Sequence, residues 1–220
     1  YGKYSVLAFT GGRNTQKAIT ESTNGIPLFS RPATHALKPS QVATLADIIP
    51  TLVDSRVIYV GEQHDQFAHH LNQLKVIKKL HEAGYQIAVG MEMFQVPYQK
   101  ALDDYIAGRI DEMAFLRASR YFSTWQFDYN LYKPIIDYVK TAGIPLIALN
   151  IDKHITQKVA REGIHSLTDE EKQHLPVEMD FANATYRQDL YQVFLQHQQH
   201  FGQPQFEYFL QSQALWDETM

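Results

Sequence analysis

The feature that most constrains the fold is an alternation of short apolar runs with amphipathic helical segments. The runs at 56–61, 85–91 and 144–149 are typical of strands that are buried on both faces of a parallel sheet. Between the first two runs, Phe67–Ala83 has apolar residues at helical spacing (Leu71, Leu74, Ile77 and Leu80) and ends before a glycine. This order predicts an α/β fold, with a parallel sheet flanked by helices.

Helical patterns continue after the last of these strands. We therefore predict a helical elaboration in the C-terminal third of the chain, with Thr168 as the N-cap of one helix. Together with Phe67–Ala83, the predicted helices are 39–53, 96–106, 111–119, 132–142, 153–162, one that begins near 167, 184–200 and 205–219.

The first 40 residues differ from the rest of the chain. They are rich in Gly, Pro and Asn and show little periodicity, which predicts an irregular arm with one short strand at Tyr4–Phe9. We therefore divide the chain into an arm, 1–40, and an α/β domain, 41–220. Because the chain begins with Tyr1 and not with an initiator Met, we expect that an upstream segment has been removed.

The composition excludes several classes of function. The 220 residues include no Cys, which rules out a disulfide framework, thiolate metal sites and a cysteine nucleophile. A net charge of −4 without a basic stripe argues against nucleic-acid binding. No apolar run reaches the length of about 18 residues that a membrane-spanning helix needs. The motifs of serine hydrolases and of nucleotide-binding loops are also missing.

Polar side chains follow each of the three predicted strands. Glu62 and His64 follow the first strand, Glu92 the second and Asn150 the third. Because ligands bind at the carboxyl ends of parallel strands, these four residues are our candidates for a catalytic pocket. A histidine beside carboxylates can act as an acid or a base, and the same residue types can hold a divalent metal. The structural alternative is that Glu62 and His64 cap the next helix and Glu92 lies in a turn.

Two further groups of residues have open roles. The aromatic segment 122–132 fits a ligand wall and a loop packed over the sheet equally well. His64 and His69 are five residues apart, whereas two metal ligands on one helical face are four apart. For His69 and His70 we therefore expect solvated or packing roles.

Six motifs occur in a characteristic order. They are Val60-Gly-Glu-Gln-His-Asp65, Ala68-His-His70, Gly90-Met-Glu-Met-Phe94, Leu131-Tyr-Lys-Pro134, Ile144-Pro-Leu-Ile-Ala-Leu-Asn150 and Leu215-Trp-Asp-Glu-Thr-Met220. In this order they resemble the ChaN-like family of iron-regulated, haem-binding bacterial lipoproteins, over residues 39–220. The family pattern continues with a further strand and a Gly-His motif, so the resemblance implies that the domain extends past Met220.

The resemblance implies a haem-binding protein of the bacterial envelope, with a role in the acquisition or storage of iron or haem. It further implies that haem (iron protoporphyrin IX) is held between two subunits, with tyrosine on the iron and basic side chains of the partner on the propionates. The candidate haem ligands are Tyr129, Tyr186 and His154. We expect a homodimer when haem is bound, framed by the Gln-rich helices after 184, and contact with a membrane only through an upstream lipid anchor. Such an anchor would place the protein in the periplasm or at the outer membrane.

The residues at the strand ends support a second hypothesis, that the protein is an enzyme. In this hypothesis Glu62, His64 and Glu92 form the site of a hydrolase, with or without the help of a metal. Haem binding alone does not require these residues to converge. The sequence leaves open whether the protein is an enzyme.

Overall fold

The computed structural model describes residues 5–9, 44–197 and 205–220, and it confirms the predicted α/β class. Four strands in these described ranges form one parallel sheet in the order β2–β1–β3–β4. They are β1 (Ser5–Phe9), β2 (Val57–Tyr59), β3 (Ile87–Gln95) and β4 (Leu146–Asn150). The α-helices of the described ranges are α1 (Leu45–Leu52), α2 (Phe67–Glu82), α3 (Gln99–Ile106), α4 (Glu112–Ala118), α5 (Tyr121–Thr124), α6 (Lys133–Ala142), α7 (Lys153–Glu162), α8 (Asp169–Lys172), α9 (Ala184–His197) and α10 (Phe206–Thr219).

The first strand comes from the segment that we predicted to be an arm. β1 pairs in parallel with β2 on one side and with β3 on the other, so it lies inside the sheet. The strand predicted at Tyr4–Phe9 is thus confirmed as Ser5–Phe9. The remainder of the predicted arm, 10–40, lies outside the described residues. The division of the chain at residue 40 stays a prediction.

β3 is buried along its whole length, as expected for a strand of a parallel sheet whose faces are covered by helices. The strand was predicted to end at Met91, but it continues to Gln95. A shift in register against β4 between these two residues lets β3 bend and remain paired. Glu92 therefore lies within the strand, and the interpretation that it occupies a turn is wrong.

The buried face of α2 is partly polar. Leu74, Ile77 and Leu80 are buried as predicted, whereas Leu71 is exposed. His70 and Gln73 are buried on this helix instead. Both reach backbone carbonyl groups of the segment that leads from β2 to α2. Hydrogen bonding therefore sets the orientation of this part of α2, together with the apolar pattern.

Several helix boundaries follow local signals. Thr44 caps α1 through a capping box, and residues 39–43, where this helix was predicted to begin, lie outside the described part of the chain. Thr168 caps α8 in the same way, as predicted. The helix predicted at Lys153–Glu162 is confirmed at both ends.

The outer edge of β4 is paired by a side chain. Nε2 of Gln99, the first residue of α3, donates to the carbonyl oxygen of Leu146 at 2.8 Å. Its Oε1 accepts a hydrogen bond from the backbone N–H of Ala148 at 2.7 Å. One side-chain amide thus supplies the donor and the acceptor that a neighbouring strand would offer at this position.

The helical elaboration predicted for the C-terminal third is confirmed, and it has a small core of its own. α7 and α10 pack against each other, and α10 also contacts β4. The buried residues of this core are Ile151, Ile155, Val159, Leu167 and Leu215. In the part of the chain that the structure describes, no helix combines the length and apolar character needed to cross a bilayer.

Candidate functional site

Glu62 lies just beyond the carboxyl end of β2 and is the centre of a buried polar cluster. Its side chain is only 3% exposed. Oε1 accepts hydrogen bonds from Nδ1 of His64 at 2.9 Å and from the hydroxyl of Tyr132 at 3.1 Å. Nδ1 of His70 lies 2.5 Å from Oε2. These four residues, the Glu62 cluster, join the strand end to the first turn of α2 and to the start of α6.

The acceptors around His70 fix its charged form. Its Nε2 lies 3.1 Å from the carbonyl oxygen of His64, which can only accept a hydrogen bond. Gln73 donates from Nε2 to the carbonyl of Val60, so its Oε1, 3.3 Å from Nδ1 of His70, is also an acceptor. Both ring nitrogens therefore carry protons. The resulting imidazolium balances the negative charge of Glu62.

The same contacts shift the pKa values of Glu62 and His70 in the directions that keep both groups charged. Burial would raise the pKa of Glu62, but hydrogen bonds from His64 and His70 and the charge of His70 lower it to about 2. Burial would lower the pKa of His70, but the hydrogen bond and charge of Glu62 raise it above its ordinary value. Glu62 and His70 thus form an ion pair that is buried at the strand end. Each charge is stable there because the other one is present.

His64 is the member of the Glu62 cluster that faces solvent. Its side chain is 23% exposed, and its ring lies 4.6 Å, centroid to centroid, from each of the rings of Trp125 and Phe127. Nδ1 donates to Glu62, so Nε2 is the ring nitrogen that lies away from the carboxylate. The segment 122–132 therefore packs over the strand end and also forms a wall beside His64.

The loop between β2 and α2 is held by histidines and not by a helix cap. Gln66 occupies the N-cap position of α2 and makes no capping hydrogen bond. The interpretation that Glu62 and His64 cap this helix is therefore wrong. Nδ1 of His69 accepts a hydrogen bond from the backbone N–H of Gln63 at 3.0 Å, which gives His69 a packing role.

Glu92 and Asn150 meet on β3 and β4. Nδ2 of Asn150 donates to the backbone carbonyl of Glu92 at 3.1 Å, and both residues are buried. This hydrogen bond ties the ends of the two strands together. Of the residues predicted for a catalytic pocket, the structure thus pairs the side chains of Glu62 and His64, and it pairs Asn150 with the main chain of Glu92. Their catalytic roles stay predictions.

Tyr129, the first candidate haem ligand, lies in the hydrophobic core. Its side chain and its hydroxyl are buried, and its ring packs against that of Tyr121. Burial, the neighbouring Tyr105 and nearby carboxylates raise the pKa of the hydroxyl far above its usual range. An enclosed, neutral phenol offers no oxygen to a ligand outside the core. In this arrangement Tyr129 is poorly placed to bind iron.

The other two candidate ligands lie on different helices. Tyr186 on α9 donates a 2.6 Å hydrogen bond to Oδ2 of Asp217 on α10. Burial and this bond raise the pKa of Tyr186 well above its usual range, which opposes formation of a phenolate. His154, in the first turn of α7, is exposed, and its Nε2 lies 3.5 Å from Oε1 of Glu171. The three candidates thus lie on separate elements.

A tyrosine that the sequence analysis did not single out is exposed on α9. Tyr191 is 43% exposed, and its ring packs against Phe194 and Phe206. Leu195, one turn later on the same side of the helix, is also exposed. We call these four residues the α9–α10 face. The spacing of Tyr191 and Leu195 within a Gln-rich helix was the available signal, but it does not distinguish a surface from a core position.

The hypothesis of a metal-assisted hydrolase requires several side chains that together bind a metal ion. Within residues 5–9, 44–197 and 205–220, no group of three or more His, Asp and Glu side chains is arranged to hold a metal ion. In the Glu62 cluster both nitrogens of His70 lie against acceptors, and Nε2 of His64 is the ring nitrogen that has no hydrogen-bond partner among the described residues.

Comparisons with known proteins agree with the fold and the motifs. A protein-family model described as "Haem-binding uptake, Tiki superfamily, ChaN" matches residues 48–220. The fold is similar to a solved structure described as cofacial heme binding to ChaN of Campylobacter jejuni, with a TM-score of 0.61 and 16% identity over 80% of this chain and 69% of that chain. The chain is also 26% identical over 128 residues to the chloroplastic protein RETICULATA-RELATED 5 of Arabidopsis thaliana, a match that covers 55% of this chain and 17% of the plant protein. The matched residues include β2, β3, β4 and the whole Glu62 cluster, and the chain belongs to the ChaN family of the Tiki superfamily.

Proposed function

We propose that this protein binds haem. The observation that carries the proposal is the family match over residues 48–220, because that family is described by haem binding. The fold shared with ChaN of Campylobacter jejuni supports the same ligand, since that structure is described as binding haem.

The exposed side chains of the α9–α10 face, Tyr191 and Leu195, offer an aromatic ring and an apolar side chain to a haem, and the buried Phe194 packs against Tyr191. A porphyrin is a flat apolar ring, and aromatic side chains pack favourably against such rings. Tyr191 adds a phenol oxygen, which is a known axial ligand of haem iron. The hydroxyl of Tyr186, by contrast, is held in its protonated form by Asp217. Our proposal therefore names Tyr191 as the ligand in place of the predicted Tyr129, Tyr186 and His154.

A single α9–α10 face covers one side of a haem and leaves the other side in water. A second copy of the chain, related by a two-fold axis, would cover that side. The proposal therefore includes a homodimer in the haem-bound state, with propionates that meet basic side chains of the partner. The bacterial envelope, an upstream lipid anchor and a role in acquisition or storage of iron or haem belong to the proposal through the family resemblance alone.

The hydrolase hypothesis is not favoured by these observations. The matched family is described by haem binding, and no set of metal ligands occurs in the described ranges. Asn150 uses its amide to tie β3 to β4.

Titration with ferric haemin, followed in the Soret region, tests the proposal. We expect a saturable spectral change in the wild-type protein and a phenolate-ligated, high-spin ferric signal. Tyr191→Phe keeps the aromatic ring and should remove the phenolate signal. Tyr186→Phe is the matched control on the same helix and should leave the signal unchanged. If the wild-type protein gives no saturable change, the haem proposal is wrong. If the wild type binds haem and Tyr191→Phe keeps the phenolate signal, the iron ligand is a residue other than Tyr191.

A further inference from the structure

His64 is anchored in a way that leaves one nitrogen for a ligand. Nδ1 donates to Oε1 of Glu62 at 2.9 Å, and the carboxylate is in turn held by Tyr132 and His70. The ring rests against Trp125 and Phe127, which fixes its plane. The side chain is partly exposed, and no other residue of the described ranges hydrogen-bonds Nε2.

A buried carboxylate behind the ring makes this nitrogen a good ligand. Histidines that bind metals commonly donate their second N–H to a carboxylate, which fixes the tautomer and raises the basicity of the ligating nitrogen. The positive charge that balances Glu62 is already supplied by His70, both of whose ring nitrogens donate. Glu62 therefore positions His64 through Nδ1, and Nε2 is the ring nitrogen that lies away from this contact.

A single imidazole nitrogen suits an iron ion whose equatorial positions are already filled by another ligand. A bare divalent ion needs about four protein or water ligands, and the described residues around His64 supply only one open nitrogen. Haem iron already has four porphyrin nitrogens and needs only an axial ligand. The aromatic rings of Trp125 and Phe127 pack against the imidazole of His64, and Phe122 in the same segment is 67% exposed. These surfaces are compatible with a porphyrin and offer little to a hydrated cation.

We propose that His64 is an axial ligand for haem iron at the end of β2, in a site separate from the α9–α10 face. This inference rests on the proposal that the protein binds haem. Lys153 supplies a positive charge for a propionate, because its Nζ lies 3.4 Å from the carbonyl oxygen of Ser123, within the segment that carries Phe122 and Trp125. Glu62 is a positioning residue in this site, since it acts on the iron only through the imidazole.

Spectroscopy in the Tyr191→Phe background isolates the proposed site. We expect this variant to retain bound haem, with a low-spin or histidine-ligated ferric signal and an iron–histidine stretching mode in the resonance Raman spectrum after reduction. His64→Gln can still donate to Glu62 but has no imidazole, so it should remove both signals. His64→Gly should lose them and regain them when free imidazole is added. His174→Ala, at an exposed histidine of the helical part, is the matched control and should change nothing.

Glu62→Gln gives a second readout that does not depend on the amount of haem bound. A neutral amide is a weaker acceptor than a carboxylate, so the iron–histidine stretch should move to lower frequency. An unshifted stretch would show that Glu62 does not act on the ligand. If haem binds to the wild type and the spectra of His64→Gln are unchanged while its circular dichroism is native, the inference about His64 is wrong and the proposed function stands. If the wild type binds no haem, both fail.

Discussion

Nδ1 of His70 lies 2.5 Å from Oε2 of Glu62, and both side chains are almost completely buried. Removal of one partner leaves an uncompensated charge in the protein interior, whereas the intact pair is balanced. Glu62 follows β2 and His70 lies in α2, so this contact fixes the helix on the strand end. The stability of the fold and the geometry of His64 therefore depend on the same carboxylate.

The first prediction concerns the pH dependence of unfolding. The pKa of Glu62 is lowered from 4.5 to about 2, so its stabilisation is fully present above pH 4.5 and is lost as the pH falls through about 2. The pKa of His70 is raised above 6.5, so its stabilisation is present below pH 6.5 and is lost as the pH rises through the raised value. The pair should therefore stabilise the fold most between these limits. The free energy of unfolding should fall on the acid side, which we call the acid limb, by an amount on the order of 3 kcal/mol, and it should fall again on the alkaline side, the alkaline limb.

Urea unfolding of the haem-free protein across this pH range measures both limbs. Glu62→Gln should flatten the acid limb, because the amide does not titrate. It should also flatten the alkaline limb, since His70 then has no carboxylate to hold its proton. A Glu62→Gln profile parallel to that of the wild type would assign the pH dependence to other groups.

The second prediction concerns the hydroxyl of Tyr132. Tyr132→Phe keeps the buried ring and removes one hydrogen bond to the charged Glu62, which should cost about 1.5–3 kcal/mol of unfolding free energy. The matched control is Tyr138→Phe, whose hydroxyl bonds Nδ1 of His81 nearer the surface and should cost less. Equal losses in the two variants, measured by urea unfolding, would argue against a special role for the buried contact.

The third prediction concerns the side chain that pairs the edge of β4. Gln99→Leu removes the donor to Leu146 and the acceptor for Ala148, and we expect a loss of about 2–3 kcal/mol. Gln99→Glu keeps an acceptor for Ala148 but places a carboxylate against the carbonyl of Leu146, so it should also destabilise the fold. Lys100→Ala, at the neighbouring exposed position, is the control and should change the melting temperature little. A melting temperature of Gln99→Leu equal to that of Lys100→Ala contradicts the assigned role.

The fourth prediction concerns assembly. If two copies share haem, haemin should shift the protein from monomer toward dimer, because a ligand stabilises the state that binds it. Leu195→Glu places a charge on the α9–α10 face and should oppose this shift. Met113→Glu, at an exposed residue of α4, is the matched control. Sedimentation velocity with and without haemin provides the measurement; a wild-type monomer at saturating haem would exclude the shared site.

Much of the fold was predictable, because strands and helices leave local signals. The apolar runs identified β2, β3 and β4, and even the isolated strand near Tyr4 was recognised from a short run. The end of β3 was missed, since Glu92 looks like a polar residue after a strand, and only the register with β4 shows that it is inside one. On α2, helical periodicity predicted a buried Leu71 but could not show that His70 would be buried to reach a carbonyl group.

The site was only half predictable for a similar reason. Glu62 and His64 are two residues apart, so their pairing could be inferred from one loop. Tyr132 lies 70 residues from Glu62 in sequence, and no spacing rule connects them. Tyr129 and Tyr186 were chosen by their aromatic or helical surroundings, which do not reveal whether a hydroxyl is enclosed or already bonded.

The position of β1 has a consequence for how the protein forms. β1 is synthesised first, yet β3, which it needs as a neighbour, begins about 80 residues later. Among the described strands β2 pairs with β1 alone, so β2 and β3 belong to one sheet only when β1 lies between them. Contacts between distant parts of a chain are slow to form, because the entropy of loop closure must be overcome first. We expect refolding to be limited by the insertion of this first strand. Deletion of residues 1–9 should leave β2 without its neighbouring strand, so that only contacts such as those of Glu62 with His70 and Tyr132 hold this part of the chain on the domain.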